Sequence, residues 1–190
     1  MRSNAARIVG RGAIGCIALP RNGEDERRRK SQYPCGFGDV YKRSTAVSRF
    51  NGTVDAYGVF TDRSGKVVKR FTVIMKCSWS GSPGAETGLL DEDFSYSDGS
   101  KDRRVWTLKR TPEGHYTGTA ADVVGEAAGE EKGNAFRWGY TLKLPVESRV
   151  IDVQFDDWMY LMSDKILLNK ATMSKFGIRL GEVTLSFVKR

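Results

Sequence analysis

The chain has 190 residues, of which 39% are hydrophobic and 28% charged, with a formal net charge of +8. Nearly all of that charge sits at one end: residues 1–49 hold 11 Lys/Arg against 4 Asp/Glu, and residues 50–190 hold 20 against 19. A basic nucleic-acid-binding domain carries its positive field on its folded surface, so the balanced body argues against nucleic acid as a partner. No stretch nears the roughly 20 apolar residues of a membrane-spanning helix, and three widely spaced cysteines do not make a disulfide framework.

Residues 1–49 read as a basic head, either signal-like or without regular structure. Ala13-Ile14-Gly15-Cys16 has the small-residue shape of a bacterial lipoprotein cleavage site, with Cys16 as the residue that would be lipidated. Arg7 and Arg11 interrupt the apolar run of about 7–15 residues that such a site normally follows. The segment from Gly23 to Lys30 is polar and aperiodic, the composition of a disordered stretch. Its Arg27-Arg28-Arg29-Lys30 run offers a contact to an anionic membrane, although such runs are usually just solvated. The abrupt change in composition at Phe50 is also what a start or frame placed wrongly upstream would leave.

The body, residues 50–190, is a series of short alternating segments separated by turn signals. Thr53–Phe60 is the first, closed by Asp62-Arg63-Ser64-Gly65. Val67, Phe71, Val73, Met75, Cys77 and Trp79 then share one face, interrupted by Lys69, with Arg70, Thr72, Lys76 and Ser78 on the other. That period of two marks a half-buried strand, and it places Cys77 as a buried thiol. Gly81-Ser82-Pro83-Gly84 ends it. Leu90, Glu92, Phe94 and Tyr96 define the next inner face, and Asp98-Gly99 is a strong hairpin signal. Arg104, Trp106 and Leu108 return on one face, and Thr111-Pro112-Glu113-Gly114 turns again. Tyr116–Val124 reads as a small-residue strand and Gly125–Gly133 as a loop or weak extension. Phe136, Trp138, Tyr140, Leu142 and Leu144 alternate with polar residues, and Ile151, Val153, Phe155, Met159 and Leu161 form a stripe with Asp157 inside it. Leu167–Lys175 and Val183–Phe187 complete the series. About eight to ten strands with short connections predict an all-β, antiparallel up-and-down meander. Closing it into a lipocalin-like barrel removes exposed edges, which favours a barrel over a sandwich.

Several longer words of the body are distinctive: Ala56-Tyr57-Gly58-Val59-Phe60-Thr61-Asp62, Leu90-Asp91-Glu92-Asp93-Phe94, Arg103-Arg104-Val105-Trp106, Ala121-Asp122-Val123-Val124-Gly125, Phe155-Asp156-Asp157-Trp158-Met159-Tyr160 and Met173-Ser174-Lys175-Phe176-Gly177. In this order they resemble the proteobacterial family known as domain of unknown function 3833, over about residues 50–190. The resemblance implies small lipoproteins of the cell envelope, periplasmic or lipid-anchored, built on a lipocalin-like barrel, and it implies no particular activity. Members usually begin with a clean lipoprotein signal, from which this head departs; a head that fails as a signal would leave the protein in the cytoplasm.

Catalytic signals are sparse. The single histidine, His115, follows a turn glycine, and no Ser-His-Asp order, metal-ligand cluster or phosphate-cradling glycine loop is present. Asp91-Glu92-Asp93 and Asp156-Asp157 pair carboxylates in sequence, but adjacent strand residues point to opposite faces, which does not make an acid–base pair. The expectation is a non-enzymatic protein without a cofactor.

The polar residues on apolar faces carry more information. A three-residue loop at Asp98-Gly99-Ser100 would set Phe94 opposite Arg104 and Glu92 opposite Trp106, leaving Glu92 and Arg104 as diagonal neighbours. Asp157, Asn169 and Lys175 also fall on inner faces, unless a bulge near Asp156-Asp157 turns the acids outward. Buried charges must be paired or neutralised. One reading is a structural ion-pair network. The other is a polar anchor at the floor of an apolar cavity: Arg104 or Lys175 would take an anionic head, and Trp106, Phe136, Trp138, Tyr140 and Phe155 would line the tail. The candidate ligand-binding set is therefore Glu92, Arg104, Trp106, Trp138, Tyr140, Phe155, Asp157 and Lys175. The ligand class is a hydrophobic or amphiphilic small molecule such as a fatty acid or phospholipid. The competing readings are a packed barrel that binds a partner through Trp158 and Tyr160, and a hydrolase or isomerase on a barrel scaffold.

Overall fold

A computed structural model describes residues 50–146 and 148–190. The proposals made for Cys16 and the basic head lie outside the described residues. The described chain is built of strands without a helix: β1 (Gly52–Asp62), β2 (Val67–Ser82), β3 (Ala85–Tyr96), β4 (Lys101–Arg110) and β5 (His115–Thr119). They are followed by β6 (Ala127–Lys132), β7 (Ala135–Val146), β8 (Arg149–Leu161), β9 (Ile166–Lys175) and β10 (Ile178–Lys189). Each strand pairs antiparallel with the next, and β1 also pairs with β10, so the sheet closes on itself. The expected up-and-down, lipocalin-like barrel is present, with ten strands.

Period-two patterning sets which face is inside. Along β2, Val73, Met75 and Cys77 are buried while Thr72, Ile74 and Lys76 are exposed. Along β9, Leu167, Asn169, Ala171 and Met173 are buried on alternate positions. The turns carry the chemistry their sequences announce. Asp62 accepts hydrogen bonds at one carboxylate oxygen from the Ser64 and Lys66 amides, at 2.9 and 3.1 Å. In the β3–β4 hairpin, Tyr96 donates its amide to Ser100 and Gly99 donates back to Tyr96. This makes Ser97-Asp98-Gly99 the loop. Gly99 sits at φ +84°, the left-handed conformation that such a loop needs at its last position and that glycine adopts without strain.

That loop sits one residue earlier than the sequence reading placed it, and the register moves accordingly. Glu92 lies directly opposite Arg104, not diagonal to it, and Leu90 lies opposite Trp106. The strand expected over Tyr116–Val124 is also shorter. β5 ends at Thr119, residues 120–126 form turns, and β6 occupies much of the glycine-rich stretch expected as loop. Val123 makes an isolated bridge to Leu142. Lys143 donates its amide to the Asp122 carbonyl at 2.8 Å, and Val124 donates to the Thr141 carbonyl at 2.9 Å. The 120–126 segment thereby covers the wall between β4 and β7 where β5 and β6 are too short to do so.

Two apolar clusters face each other inside the barrel. One gathers Trp106, Leu108, Tyr116, Phe136, Trp138 and Leu142 from β4, β5 and β7. The other gathers Phe50, Val54, Val73, Met75, Leu161 and Leu167 around β1, β2, β8 and β9. At the end that carries the β4–β5 and β6–β7 turns, Arg110 bonds Glu131 at 2.5 Å and Glu86 at 3.2 Å, and the Tyr116 hydroxyl donates to Glu131 at 2.9 Å. Trp79 packs edge-on against Tyr116 beneath this network.

Candidate functional site

Between the two clusters lies a cavity of about 910 Å³. It reaches the barrel rim at Val68, Lys69, Ser100, Lys101 and Val146, the end opposite the Arg110–Glu131 network. Its wall is mainly apolar, and the aromatic stripe read from β4, β7 and β8 supplies much of it. Trp106 meets Trp138 and Tyr140 edge-on, with ring centroids 5.7 and 5.3 Å apart, and Tyr140 stacks on Phe155 at 5.0 Å. Such offset and T-shaped pairs fix ring orientation beyond what apolar burial alone supplies. The interior is therefore not filled by its own side chains, as the packed-barrel reading required.

One polar cluster interrupts this wall. The Arg104 guanidinium, on β4, is held by Asp122 of the 120–126 segment: Nε donates to its carboxylate at 2.9 Å, and a terminal nitrogen lies 2.8 Å from the same oxygen. Its other terminal nitrogen stands 4.0 Å from Glu92 on β3, and the guanidinium rides over the Phe94 ring at 5.4 Å. Tyr140 donates its hydroxyl to Asp157 on β8 at 3.3 Å. Asn169, on β9, is the diagonal neighbour of Asp157 on the inner face, since Asp157 pairs with Ala171. The pairing of β8 with both neighbours runs without a register shift, so no bulge turns Asp157 outward. Its sequence neighbour Asp156 points to solvent and pairs with Arg137 at 2.8 Å.

Burial governs the acids of this cluster. Asp157 is only 6% exposed, and desolvation pushes its carboxyl up to about 7 against the opposing effect of Tyr140 and Asn169. Glu92 is likewise pushed up to about 7 by burial, with Arg104 pulling it down and the charges of Asp122 and Asp157 pushing it further up. Burial also works against the charge on Arg104, but the hydrogen bond it donates to Asp122 and the charge of Glu92 outweigh it and keep the guanidinium protonated. The Tyr140 hydroxyl is raised well above its ordinary value by burial and by Asp157. Cys77 lines the same cavity as a thiol pushed up to about 12 by burial.

Seven of the eight candidate residues, Glu92, Arg104, Trp106, Trp138, Tyr140, Phe155 and Asp157, line the cavity. Lys175 does not. It keeps the inner-face parity of β9 but stands at the strand end, where its ammonium lies over the exposed Phe176 ring at 5.2 Å. Arg104 is not the free cation that an anionic anchor needs, because Asp122 already holds it. Asp122 is the site residue that strand patterning missed, since it comes from a segment read as strand; the acid two residues before Val124-Gly125 was the available signal of a turn. Trp158 and Tyr160 lie outside the barrel, stacked on each other at 6.4 Å.

The family model described as "Protein of unknown function (DUF3833)" matches residues 39–189. The chain belongs to this family. The match begins ahead of β1 and runs through β10, so it takes in the whole DUF3833 barrel and part of the basic head. Among curated proteins none matches the chain in sequence. Among solved structures, the barrel is similar to the S-type phycobiliprotein lyase CPES from Guillardia theta, with a TM-score of 0.62 over 83% of this chain and 98% of that one. At 8% identity the likeness is one of fold.

Proposed function

We propose that the protein binds one hydrophobic or amphiphilic small molecule, of lipid or fatty-acid-like body, inside its barrel, and that it carries or senses this molecule in the cell envelope without transforming it. The cavity carries the reading. About 910 Å³ of mainly aromatic and aliphatic wall with a few convergent polar groups matches the size and character of small-molecule sites, roughly 300–1,000 Å³. A similarly folded phycobiliprotein lyase supports it at the level of architecture. The envelope placement rests on the lipoprotein-like head and on the family resemblance. A partner-binding role through Trp158 and Tyr160 is the lesser reading, because it leaves the cavity without a use.

Native mass spectrometry of the full chain, purified from bacteria without detergent, tests the proposal. The expected result is a reproducible adduct of lipid-like mass that disappears in Ala171→Phe. Ala171 lines the cavity and is 2% exposed, so the added ring fills the space the ligand needs. A bare protein mass, together with no uptake of an apolar fluorescent probe such as anilinonaphthalene sulfonate, sets the binding reading aside.

A further inference from the structure

The polar groups of the cavity indicate which kind of head the ligand carries. Arg104 spends its Nε and one terminal nitrogen on Asp122 and leans the other toward Glu92. What faces the cavity unsatisfied is a different set. Asp157 Oδ1, Asn169 Oδ1 and Asn169 Nδ2 are fully buried and none makes a hydrogen bond of 3.5 Å or less within the protein, although the Asn169 amide stands near enough to Asp157 to pull its carboxyl down. Asp157 and Asn169 are 6% and 2% exposed, and both line the cavity. Buried polar atoms in native proteins are nearly always satisfied, and each exception calls for an explanation. Two of these three atoms are acceptors, and one of the two belongs to a carboxyl group.

The charge inventory points the same way. Around this floor stand three acids, Glu92, Asp122 and Asp157, against one guanidinium, that of Arg104. The remaining lysines of the cavity, Lys69 and Lys101, belong to its rim, and Lys69 is paired with Asp98 at 2.8 Å. Above about pH 7, where Glu92 and Asp157 are ionised, an incoming carboxylate or phosphate would meet the Asn169 amide and the Arg104 nitrogen that leans toward Glu92, in the presence of three acids against one guanidinium. A protonated amine offers two or three donors to Asp157 Oδ1, Asn169 Oδ1 and the Glu92 carboxyl, and it brings the positive charge the cluster lacks. Hydrogen bonds between an ionised donor and a carboxylate are the stronger class, above all in a low-dielectric interior.

We propose that the floor formed by Asp157, Asn169 and Glu92 receives a cationic, hydrogen-bond-donating head, a primary or secondary amine, on an apolar body. This rests on the reading of the cavity as a ligand site and reverses the polarity first assigned to its anchor. Arg104 then acts as a positioning residue: with Asp122 it offsets part of the acidic excess and holds Glu92 near the floor.

Isothermal titration calorimetry of the full chain at pH 8 with dodecylamine, dodecanol and dodecanoate, each below its micelle-forming concentration, tests the assignment. The three share one tail and differ only in the head. An aliphatic amine is protonated at this pH like a lysine side chain. The amine is expected to bind at least about tenfold more tightly than the alcohol, with dodecanoate weakest. Asp157→Asn, which keeps the side-chain shape, is expected to cut amine affinity about tenfold and to leave the alcohol within about twofold. The net charge of +8 makes the comparison severe, since unspecific attraction favours the anion. Dodecanoate binding as well as the amine, or an amine preference that survives in Asp157→Asn, overturns the assignment while the cavity reading stands. If none of the three binds, the cavity reading itself fails. Should Asp157→Asn not fold, as judged by its circular dichroism melt, Glu92→Gln carries the same comparison.

Discussion

At the scale of single residues, the interior acids decide how the protein responds to pH. Glu92 and Asp157 both hold their protons up to about 7 in the folded barrel, well above the ordinary range of glutamate and aspartate. The folded state therefore binds more protons than the unfolded chain between about pH 4 and pH 7, and stability falls as pH rises through that interval and then levels off. The groups facing the pair are Arg104 on β4, Asp122 of the connecting segment and Tyr140 on β7, with Asn169 on β9. Arg104 and Tyr140 keep one charge state throughout this range. On the outside, Asp55, Asp62, Asp91 and Asp98 have lowered values, so their stabilising effect is complete by about pH 5 and is lost only in more acidic solution. Thermal melts without ligand should show a midpoint on the order of 5 °C lower at pH 8 than at pH 5.5, and Glu92→Gln combined with Asp157→Asn should flatten that slope. A wild-type midpoint that rises over the same range would contradict the account. How much of this was legible in the sequence turns on one glycine. Alternation alone put Glu92, Arg104 and Asp157 on inner faces. The direct Glu92–Arg104 pairing also follows from sequence once the glycine of Asp98-Gly99 is set last in a three-residue loop.

At the scale of elements, β5 and β6 are where sequence and structure part. Apart from Tyr116, their inward positions are Gly118, Ala127, Gly129 and Glu131, which give no hydrophobic alternation to read. Their place in the barrel is set by what lies over them. A Cβ added at Gly118 would come within 2.5 Å of Leu108 and 3.0 Å of Trp138, so the bare backbone of β5 is what lets Trp138 lie against the wall. Gly118→Val should cost roughly 2 kcal/mol through overpacking, read as a lowered denaturation midpoint with unchanged slope. Equal stability would mean that Trp138 has room to swing into the cavity. The shortness of the same two strands also explains Asp122. Because β5 stops at Thr119, the chain crosses back along β7 and delivers a carboxylate to Arg104 from a turn, a position that no strand periodicity marks.

At the scale of the whole molecule, closure is the dominant fact. β1 and β10 are joined in register from Val54↔Lys189 to Asp62↔Gly181, and Arg190 clamps Asp55 through two hydrogen bonds, at 2.6 and 2.8 Å. The up-and-down order and a strand count of about eight to ten were legible because most hairpins, the β5–β6 connection excepted, carry a local signal. The closing pair was inferable only from the penalty for leaving edges open. Ending the chain after Gly177 would remove β10 and leave the outer edges of β1 and β9 unpaired. Such a protein should be recovered as aggregate, and a soluble monomer of that length with native circular dichroism would show that the seam is dispensable.

The seam also imposes an order in time. A growing polypeptide leaves the ribosome from its amino end, at about 5–20 residues per second. Nothing can occupy the free flank of β1 until the final segment has been made. For the whole interval during which β2 to β9 emerge, the nascent chain is an open, curling ribbon with two adhesive borders and no enclosed interior. Contacts so distant along the chain are slow to form. The newly made protein thus depends on whatever shields that ribbon until its last twelve-residue strand arrives, and only then does an inside exist at all.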